Sequence, residues 1–310
     1  MKKRVVVTGG AGFLGSHVVE KFRAMGSEVL VPRLEDYDLR RRHNIEMMLY
    51  KMQPEIVVHL AAKVGGIGAN QANPGSFFYD NAVMGVELID AAYRYGVEKF
   101  VQVGTVCAYP SNPPIPFKED DLWNGYPEPT NAPYGISKRM LLEMLQAYRK
   151  QYGFNGVYLL PVNLYGPGDN FDLQTSHVVP ALIRKALEAK TKGAASMSVW
   201  GTGNAYREFL YVKDAAEAIY LATEKYNSPE PVNIGTGNEI SMRKLVEHIN
   251  KVVGFEGSID WDTSRPDGSA RRCLDVSKAF SAFGFRARTS LEEGIKKTVE
   301  WYAKNHNSDI

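Results

Sequence analysis

The run from Thr8 to Gly15, TGGAGFLG, restricts this chain more than any other feature. It follows a short β-branched run, Arg4 to Thr8, and leads into Ser16 to Met25, whose apolar residues recur at helical spacing. In such a strand-to-helix passage Gly9 permits the tight turn. Gly12 lets the backbone approach a pyrophosphate, and Gly15 lets helix pack closely on strand. The phosphates then meet the positive end of the helix. A merely glycine-rich turn is the competing reading of the triplet alone. Its place between a first strand and a first helix argues against that reading.

The remaining pattern extends the same architecture. Glu28 to Val31, Ile56 to Leu60, Lys99 to Val103 and Val157 to Pro161 read as strands, and Asn81 to Tyr95 and Ser137 to Tyr152 as helices. Short strands alternating with helices predict an α/β fold, a doubly wound parallel sheet of the Rossmann-like kind. The second half is less regular. Val178 to Lys190, Asp214 to Tyr226 and Ser241 to Val253 read as helices, and Ser198 to Trp200, Glu208 to Val212 and Val232 to Ile234 as strands. Ser290 followed by Glu293 is a capping box that opens a last helix. Residues 1–162 plus about 208–234 are expected to form a dinucleotide-binding domain. Residues about 163–207 plus 235–310 are expected to form a smaller mixed α/β substrate lobe. The long Pro110 to Pro133 connection reads as functional.

Composition narrows the function classes. The 310 residues carry a net charge of +2 with both signs scattered, which points to neither a nucleic-acid partner nor a membrane surface. No stretch approaches the ~20 apolar residues of a membrane span. The apolar run after Lys2 and Lys3 is too short for a signal peptide. Two cysteines, Cys107 and Cys273, are no disulfide framework, so a reducing cytoplasm is expected. No metal is expected.

The chemistry is concentrated in YGISK, where Tyr134 and Lys138 stand four residues apart and share one face of a helix. A ketone reduced by hydride becomes an alkoxide and needs a proton. Tyrosine can supply it if its pKa falls, and a lysine ammonium nearby favours the phenolate. Thr105, after the fourth strand, can hydrogen-bond the substrate oxygen. The second strand ends Val31-Pro32-Arg33, and Arg33 reads as facing a 2′-phosphate, which favours NADP. Glu35 and Asp36 keep NAD open. A surface helix pair and a solvated arginine are the bland alternatives.

The G-x-x-G-x-x-G spacing of Gly9, Gly12 and Gly15 and the LAA segment Leu60-Ala61-Ala62 resemble the extended short-chain dehydrogenase/reductases. VGGIGAN (Val64 to Asn70), GTVCAYP (Gly104 to Pro110), EPTNAPYGISK (Glu128 to Lys138) and PVNLYGPGDNF (Pro161 to Phe171) resemble GDP-L-fucose synthases more narrowly. So do SHVVPALIRK (Ser176 to Lys185), WGTGNAYREFLYVKD (Trp200 to Asp214) and RPDGSARRCLD (Arg265 to Asp275). The resemblance implies an NADPH-dependent 3,5-epimerase-4-reductase acting on a GDP-linked 4-keto-6-deoxy sugar. It implies Cys107 and His177 as acid–base groups beside the Thr105, Tyr134 and Lys138 set. Phe13, Leu14, Asp38, Leu39, Leu60, Ala61, Ala62, Pro161, Asn163, Leu164 and His177 would join the glycines, Arg33 and Lys138 at the cofactor. Asn163 would also meet the sugar, Lys185 and Arg207 the diphosphate, and Trp200 and Asp267 the nucleoside. Arg184, Arg271 and Arg272 are further candidate anion contacts. A homodimer through the helices at 81–95 and 137–152 is also implied.

Two departures stand out. Gly10-Ala11 replaces the histidine-arginine pair common in that turn, and Gly168 replaces a histidine. The absent arginine weakens the argument for NADP. Two rival functions compete: an epimerase or dehydratase that keeps NAD bound, and a non-catalytic dinucleotide sensor. An intact Thr105, Tyr134 and Lys138 set argues against the sensor.

Overall fold

A computed structural model describes residues 2–306 apart from residue 266. The two expected domains therefore extend, at residue 1 and at 307–310, outside the described residues. Twelve strands are present among those described: β1 (Arg4–Thr8), β2 (Glu28–Leu30), β3 (Ile56–His59), β4 (Lys99–Val103), β5 (Gly156–Pro161), β6 (Asn163–Tyr165), β7 (Ser196–Trp200), β8 (Tyr206–Tyr211), β9 (Val232–Ile234), β10 (Glu239–Ser241), β11 (Ser258–Asp262) and β12 (Arg271–Arg272). The helices are α1 (Phe13–Ala24), α2 (Arg42–Met52), α3 (Ile67–Ala72), α4 (Pro74–Arg94), α5 (Ala132–Tyr152), α6 (Val178–Thr191), α7 (Val212–Lys225), α8 (Met242–Val253), α9 (Ser277–Phe283) and α10 (Leu291–Asn305).

The main sheet has six strands in the order β2-β1-β3-β4-β5-β9, and every pair in it is parallel. Val5, Val6, Val7, Val57, Val58, Val101 and Leu159 are buried, as a sheet covered on both faces requires. The chain winds from β1 outward to β2, then returns past β1 to β3. This reversal opens a crevice at the carboxyl ends of β1 and β3, where such sheets bind ligands.

Two apolar clusters divide the molecule. The first surrounds the main sheet. The second joins Tyr165, Val179, Ile183, Phe209, Leu245, Ile249, Ile295 and Tyr302. Leu274, Ala279, Phe283 and Phe285 pack into the first cluster, although they follow most of the second in sequence. Strand β8 lies outside the main sheet. It pairs with β10, β12 and β6, while α7 and β9 return to the first core.

Several elements begin earlier than periodicity predicts. Helix α5 starts at Ala132, because Pro133 occupies its first turn, where a missing N–H costs nothing. Tyr134 therefore sits inside the helix. Helix α2 escaped the periodicity reading despite Ile45, Met48 and Leu49 lying on its buried side. No described helix is long and apolar enough to cross a membrane.

Candidate active site

The crevice is built from backbone first. Gly9 has φ +69°, a conformation L side chains rarely adopt, and a Cβ there would lie 2.7 Å from the Ala61 N. A Cβ on Gly15 would collide with the Gly9 carbonyl. The glycine turn thus lies directly on the Leu60-Ala61 segment, and Gly12 caps α1 in extended conformation. This side-chain-free surface at a helix start fits a dinucleotide pyrophosphate. Phe13 packs edge-on to His17, whose Nε2 is 2.8 Å from the Pro167 carbonyl, tying the turn to the loop after β6.

Around the adenosine end the structure places the expected residues unevenly. Arg33 is exposed and 3.8 Å from Glu35. Asp38 is held by both arms of Arg40 at 2.9 Å, which lowers its pKa. Leu39 is buried in the first core. Leu14, Leu60, Ala61 and Leu164 pack partly buried against that core. Ala62 and Pro161 are half-buried at the strand ends.

The candidate reacting groups lie at the end of β4. Thr105 caps the 3-10 turn 106–108 by accepting the Cys107 N–H at 3.2 Å. The Tyr134 phenol lies near enough to the Thr105 side chain to feel it, and Thr105 acts to lower the phenol's pKa. Tyr134 is 7% exposed and Lys138 1%. Lys138 Nζ donates to the Val103 carbonyl at 3.5 Å, and burial lowers its pKa to about 8. The electrostatics differ from the sequence expectation. Burial, with the nearby Cys107, pushes the Tyr134 phenol well up, and Thr105 offsets this only in part. Lys138 is not the force that sets the phenol here, because its ammonium rests against a backbone carbonyl and is itself disfavoured by burial.

Cys107 is half-buried and free. The Arg272 guanidinium reaches its sulfur at 3.7 Å. His177 stands at the N-cap position of α6 without making a side-chain cap bond. It is reachable by solvent, yet the surrounding cleft lowers its pKa. Asn163 donates to the Glu208 carbonyl at 3.0 Å, fixing β6 against β8.

Farther out, Trp200 is 55% exposed, with the Lys185 ammonium 5.9 Å and the Arg265 guanidinium 4.9 Å from its ring centre. Lys185 donates to the Ser198 carbonyl at 3.1 Å. Arg207 donates to the Asp267 carbonyl at 2.7 Å, and its pKa falls to about 10 by burial and by the charge of Arg272. Both oxygens of the Asp267 carboxylate are taken by Thr202, at 2.8 Å from its N–H and 2.7 Å from its hydroxyl. Asp267 therefore shapes the turn after Trp200 through its side chain. Arg184 pairs with Glu188 and Arg271 with Glu239.

Sequence reasoning missed three supporting residues. Arg139 binds the carbonyls of Ala108 and Gly125. His59, fully buried beneath the crevice, shares a 2.7 Å hydrogen bond with Thr8 and is kept neutral, its pKa lowered to about 3 by burial and by Lys138. Glu208 accepts from the N–H groups of Gly237 and Leu274 at 2.8 and 2.7 Å. Arg139 could have been suspected from its place directly after Lys138. The other two carry no local signal.

Known proteins resemble this chain along nearly its whole length. The chain is 44% identical to a GDP-L-fucose synthase of Sinorhizobium fredii, over 98% of this chain and 96% of that one. It superposes on a GDP-6-OMe-4-keto-L-xylo-heptose reductase from C. jejuni with TM-score 0.92 at 28% identity, covering 98% of this chain and 99% of the other. A GDP-L-fucose synthetase from Naegleria fowleri, bound to NADP, superposes with TM-score 0.89 at 30% identity, covering 98% and 93%. The sequence profile of the NAD dependent epimerase/dehydratase family matches residues 5–235, and this chain belongs to that family.

Proposed function

We propose that this chain converts GDP-4-keto-6-deoxy-D-mannose to GDP-L-fucose, inverting carbons 3 and 5 and reducing carbon 4. The observation that carries the reading is the convergence of Tyr134 and Cys107 on Thr105. A reductase needs only the first of these. A cysteine on the same turn adds a second acid–base group beside the same substrate carbonyl. The 44% identical relative, a GDP-L-fucose synthase, supports the substrate assignment.

The 4-ketone acidifies the hydrogens on carbons 3 and 5, so each centre can pass through an enolate. Cys107 and His177 exchange protons with those carbons. The weakened basicity of His177 keeps its ring neutral and able to accept a proton near pH 7. Thr105 holds the carbon-4 oxygen, and Tyr134 gives that oxygen its proton. The raised pKa of Tyr134 keeps the proton on the phenol until the alkoxide forms. NADPH, when bound, supplies the hydride. The glycine turn, the Leu60-Ala61-Ala62 segment and Lys138 would hold it, with Arg33 at the 2′-phosphate. The NADP in the Naegleria structure supports that choice over NAD.

Dinucleotide binding belongs to the main-sheet core, with the Leu274 to Phe285 return added to it, and substrate binding to the second cluster. Lys185 and Arg207 serve the diphosphate, and Trp200 the nucleoside. We place the enzyme in a reducing cytoplasm, where Cys107 stays free, and as a homodimer joined through α4 and α5. Sedimentation of a Phe78→Lys, Tyr79→Lys variant tests the dimer, since both side chains are exposed on α4.

Deuterium exchange tests the central claim. In heavy water with the 4-keto sugar nucleotide and NADP⁺, the parent should take deuterium into carbons 3 and 5. Cys107→Ser should lose most of it, His177→Asn part of it, and Tyr134→Phe none. Parent-like exchange in both Cys107→Ser and His177→Asn would take both residues out of the acid–base role and leave an epimerase of another design, whereas no exchange in the parent would leave a simple reductase.

A further inference from the structure

Arg272 belongs to β12, where it pairs in register with Arg207 of β8. Its Nη1 lies 3.7 Å from the Cys107 sulfur, and its Nη2 donates to Ser269 Oγ at 3.3 Å. The hydroxyl fixes one arm of the guanidinium and leaves the other aimed at the thiol. Its neighbour Arg271 points the opposite way and is neutralised by Glu239. Among the described residues, no carboxylate lies within ion-pair distance of Arg272. Arg207 stands beside it, and Cys107 is among the groups that act on the Arg207 charge. One guanidinium therefore touches a half-buried sulfur with no carboxylate among the described residues to quench it, and a second, Arg207, is its register partner on β8.

We propose that Arg272 is the electrostatic positioning residue of Cys107, stabilising the sulfur anion each time the thiol exchanges a proton with the sugar. When Cys107 protonates an enolate carbon, its S–H bond breaks and a C–H bond forms. The electron pair left on sulfur faces the guanidinium. In the opposite direction the thiolate takes the carbon-bound proton, the C–H electrons move to the carbon-4 oxygen as the enolate, and Arg272 is released from its charge partner. A guanidinium suits this task because it remains charged at any working pH and is weakly hydrated. A cation beside a cysteine favours the reactive thiolate. The proposal rests on the acid–base role given to Cys107 above.

The test uses thiol chemistry, which reads the sulfur without turnover. Iodoacetamide at pH 7 reacts with the thiolate. Cys273 is buried, and burial pushes its thiol up to about 12, so the fast phase reports Cys107. Arg272→Met keeps the chain length and removes the charge, whereas Arg272→Lys keeps a charge. The expected result is that Met slows Cys107 alkylation severalfold, because the contacting cation that favours the reactive thiolate is gone. Deuterium exchange at the sugar should slow in parallel, and Lys should recover most of both. Unchanged alkylation in Arg272→Met overturns the proposal. Slowed alkylation with unchanged deuterium exchange upholds the Arg272–Cys107 coupling and instead overturns the acid–base role of Cys107. A misfolded variant would be recognised by faster alkylation as Cys273 becomes exposed, and the Lys variant then decides the question.

Discussion

Arg139 follows Lys138 on α5, yet its guanidinium points away from the crevice and donates through Nε to the Ala108 carbonyl at 2.8 Å, with Nη2 on the same oxygen. Nη1 reaches the Gly125 carbonyl at 3.0 Å, and the Trp123 ring lies 5.5 Å away. The helix that carries Tyr134 is thereby bolted to the turn that carries Thr105 and Cys107. Acid, hydroxyl and thiol keep their spacing because one buried arginine satisfies carbonyls that would otherwise be stranded.

Replacing Arg139 with Met should therefore cost stability and chemistry together. Each carbonyl left without a donor costs ~1–3 kcal/mol. The turn at 106–108 should loosen relative to α5, so kcat should fall while KM for the sugar nucleotide changes little. Urea unfolding and steady-state kinetics check this. A parent-like kcat in a destabilised Arg139→Met protein would show that the bolt serves only the fold.

On the proposed mechanism, Tyr134→Phe removes the proton destined for the carbon-4 oxygen and spares the residues assigned to binding. Reduction should fall by ~10²–10⁴-fold, the range of a general acid. Sugar-nucleotide affinity, read by thermal shift, should hold. Full activity in the Phe variant would mean the proton comes from elsewhere.

Lys138 and Lys99 are both buried with pKa lowered to about 8. The unfolded chain keeps these protons up to pH 10.5 or so, so between about pH 8 and that value it binds more protons than the folded chain. Both lysines therefore make stability rise with pH across that window, and both weigh against folding below it. Lys138→Met should unfold at higher urea than the parent at pH 7, by of order 1–3 kcal/mol, while losing activity. The advantage should shrink as the pH rises toward 10.5. A Met variant less stable at pH 7 would show that the ammonium's bond to the Val103 carbonyl outweighs its burial cost.

What the sequence disclosed was whatever is local. Gly9, Gly12 and Gly15 and the Tyr134–Lys138 interval are written within single turns of chain, and the alternation of strand and helix predicts the sheet that gathers them. What it concealed depends on residues far apart. The Arg272–Cys107 contact joins positions 165 residues apart. Glu208 binds N–H groups of segments that follow two other strands, and nothing in its own neighbourhood marks it as buried. The Tyr134 environment was misjudged for the same reason: four-residue spacing to a lysine is visible in sequence, whereas the burial that dominates both pKa values is not. For Asp267 a nucleoside contact was suggested by resemblance alone, and its carboxylate is engaged by Thr202.

Cofactor choice can be read at Arg33. The side chain is exposed and, among the described residues, forms an ion pair with Glu35 alone, at 3.8 Å, so it is free to swing toward a 2′-phosphate at little cost. Arg33→Ala should raise KM for NADPH far more than for NADH. Equal effects on the two would remove Arg33 from the 2′-phosphate and turn attention to Arg40, which Asp38 now holds.

Trp200 closes β7 with more than half its surface exposed, an unusual place for the largest apolar side chain. Lys185 and Arg265 lie over its ring, and the turn that follows is fixed by the Thr202–Asp267 hydrogen bonds. A rigid aromatic plane among cations suits a nucleobase whose diphosphate is bound nearby. Stacking of a base on such a ring contributes ~1–3 kcal/mol by alanine substitution. Trp200→Ala should then raise KM for the GDP-sugar by roughly 5–150-fold, from that energy at 1.4 kcal/mol per tenfold. Its kcat should stay near the parent's, since the ring binds ground state and transition state alike. Trp200→Phe, which keeps a plane, should fall between the two. Because the side chain is exposed, the unfolding midpoint without ligand should barely move, while the thermal shift produced by GDP should shrink in step with KM. A fall in kcat at unchanged KM would take Trp200 away from the nucleoside and place it among the groups that order the reacting sugar.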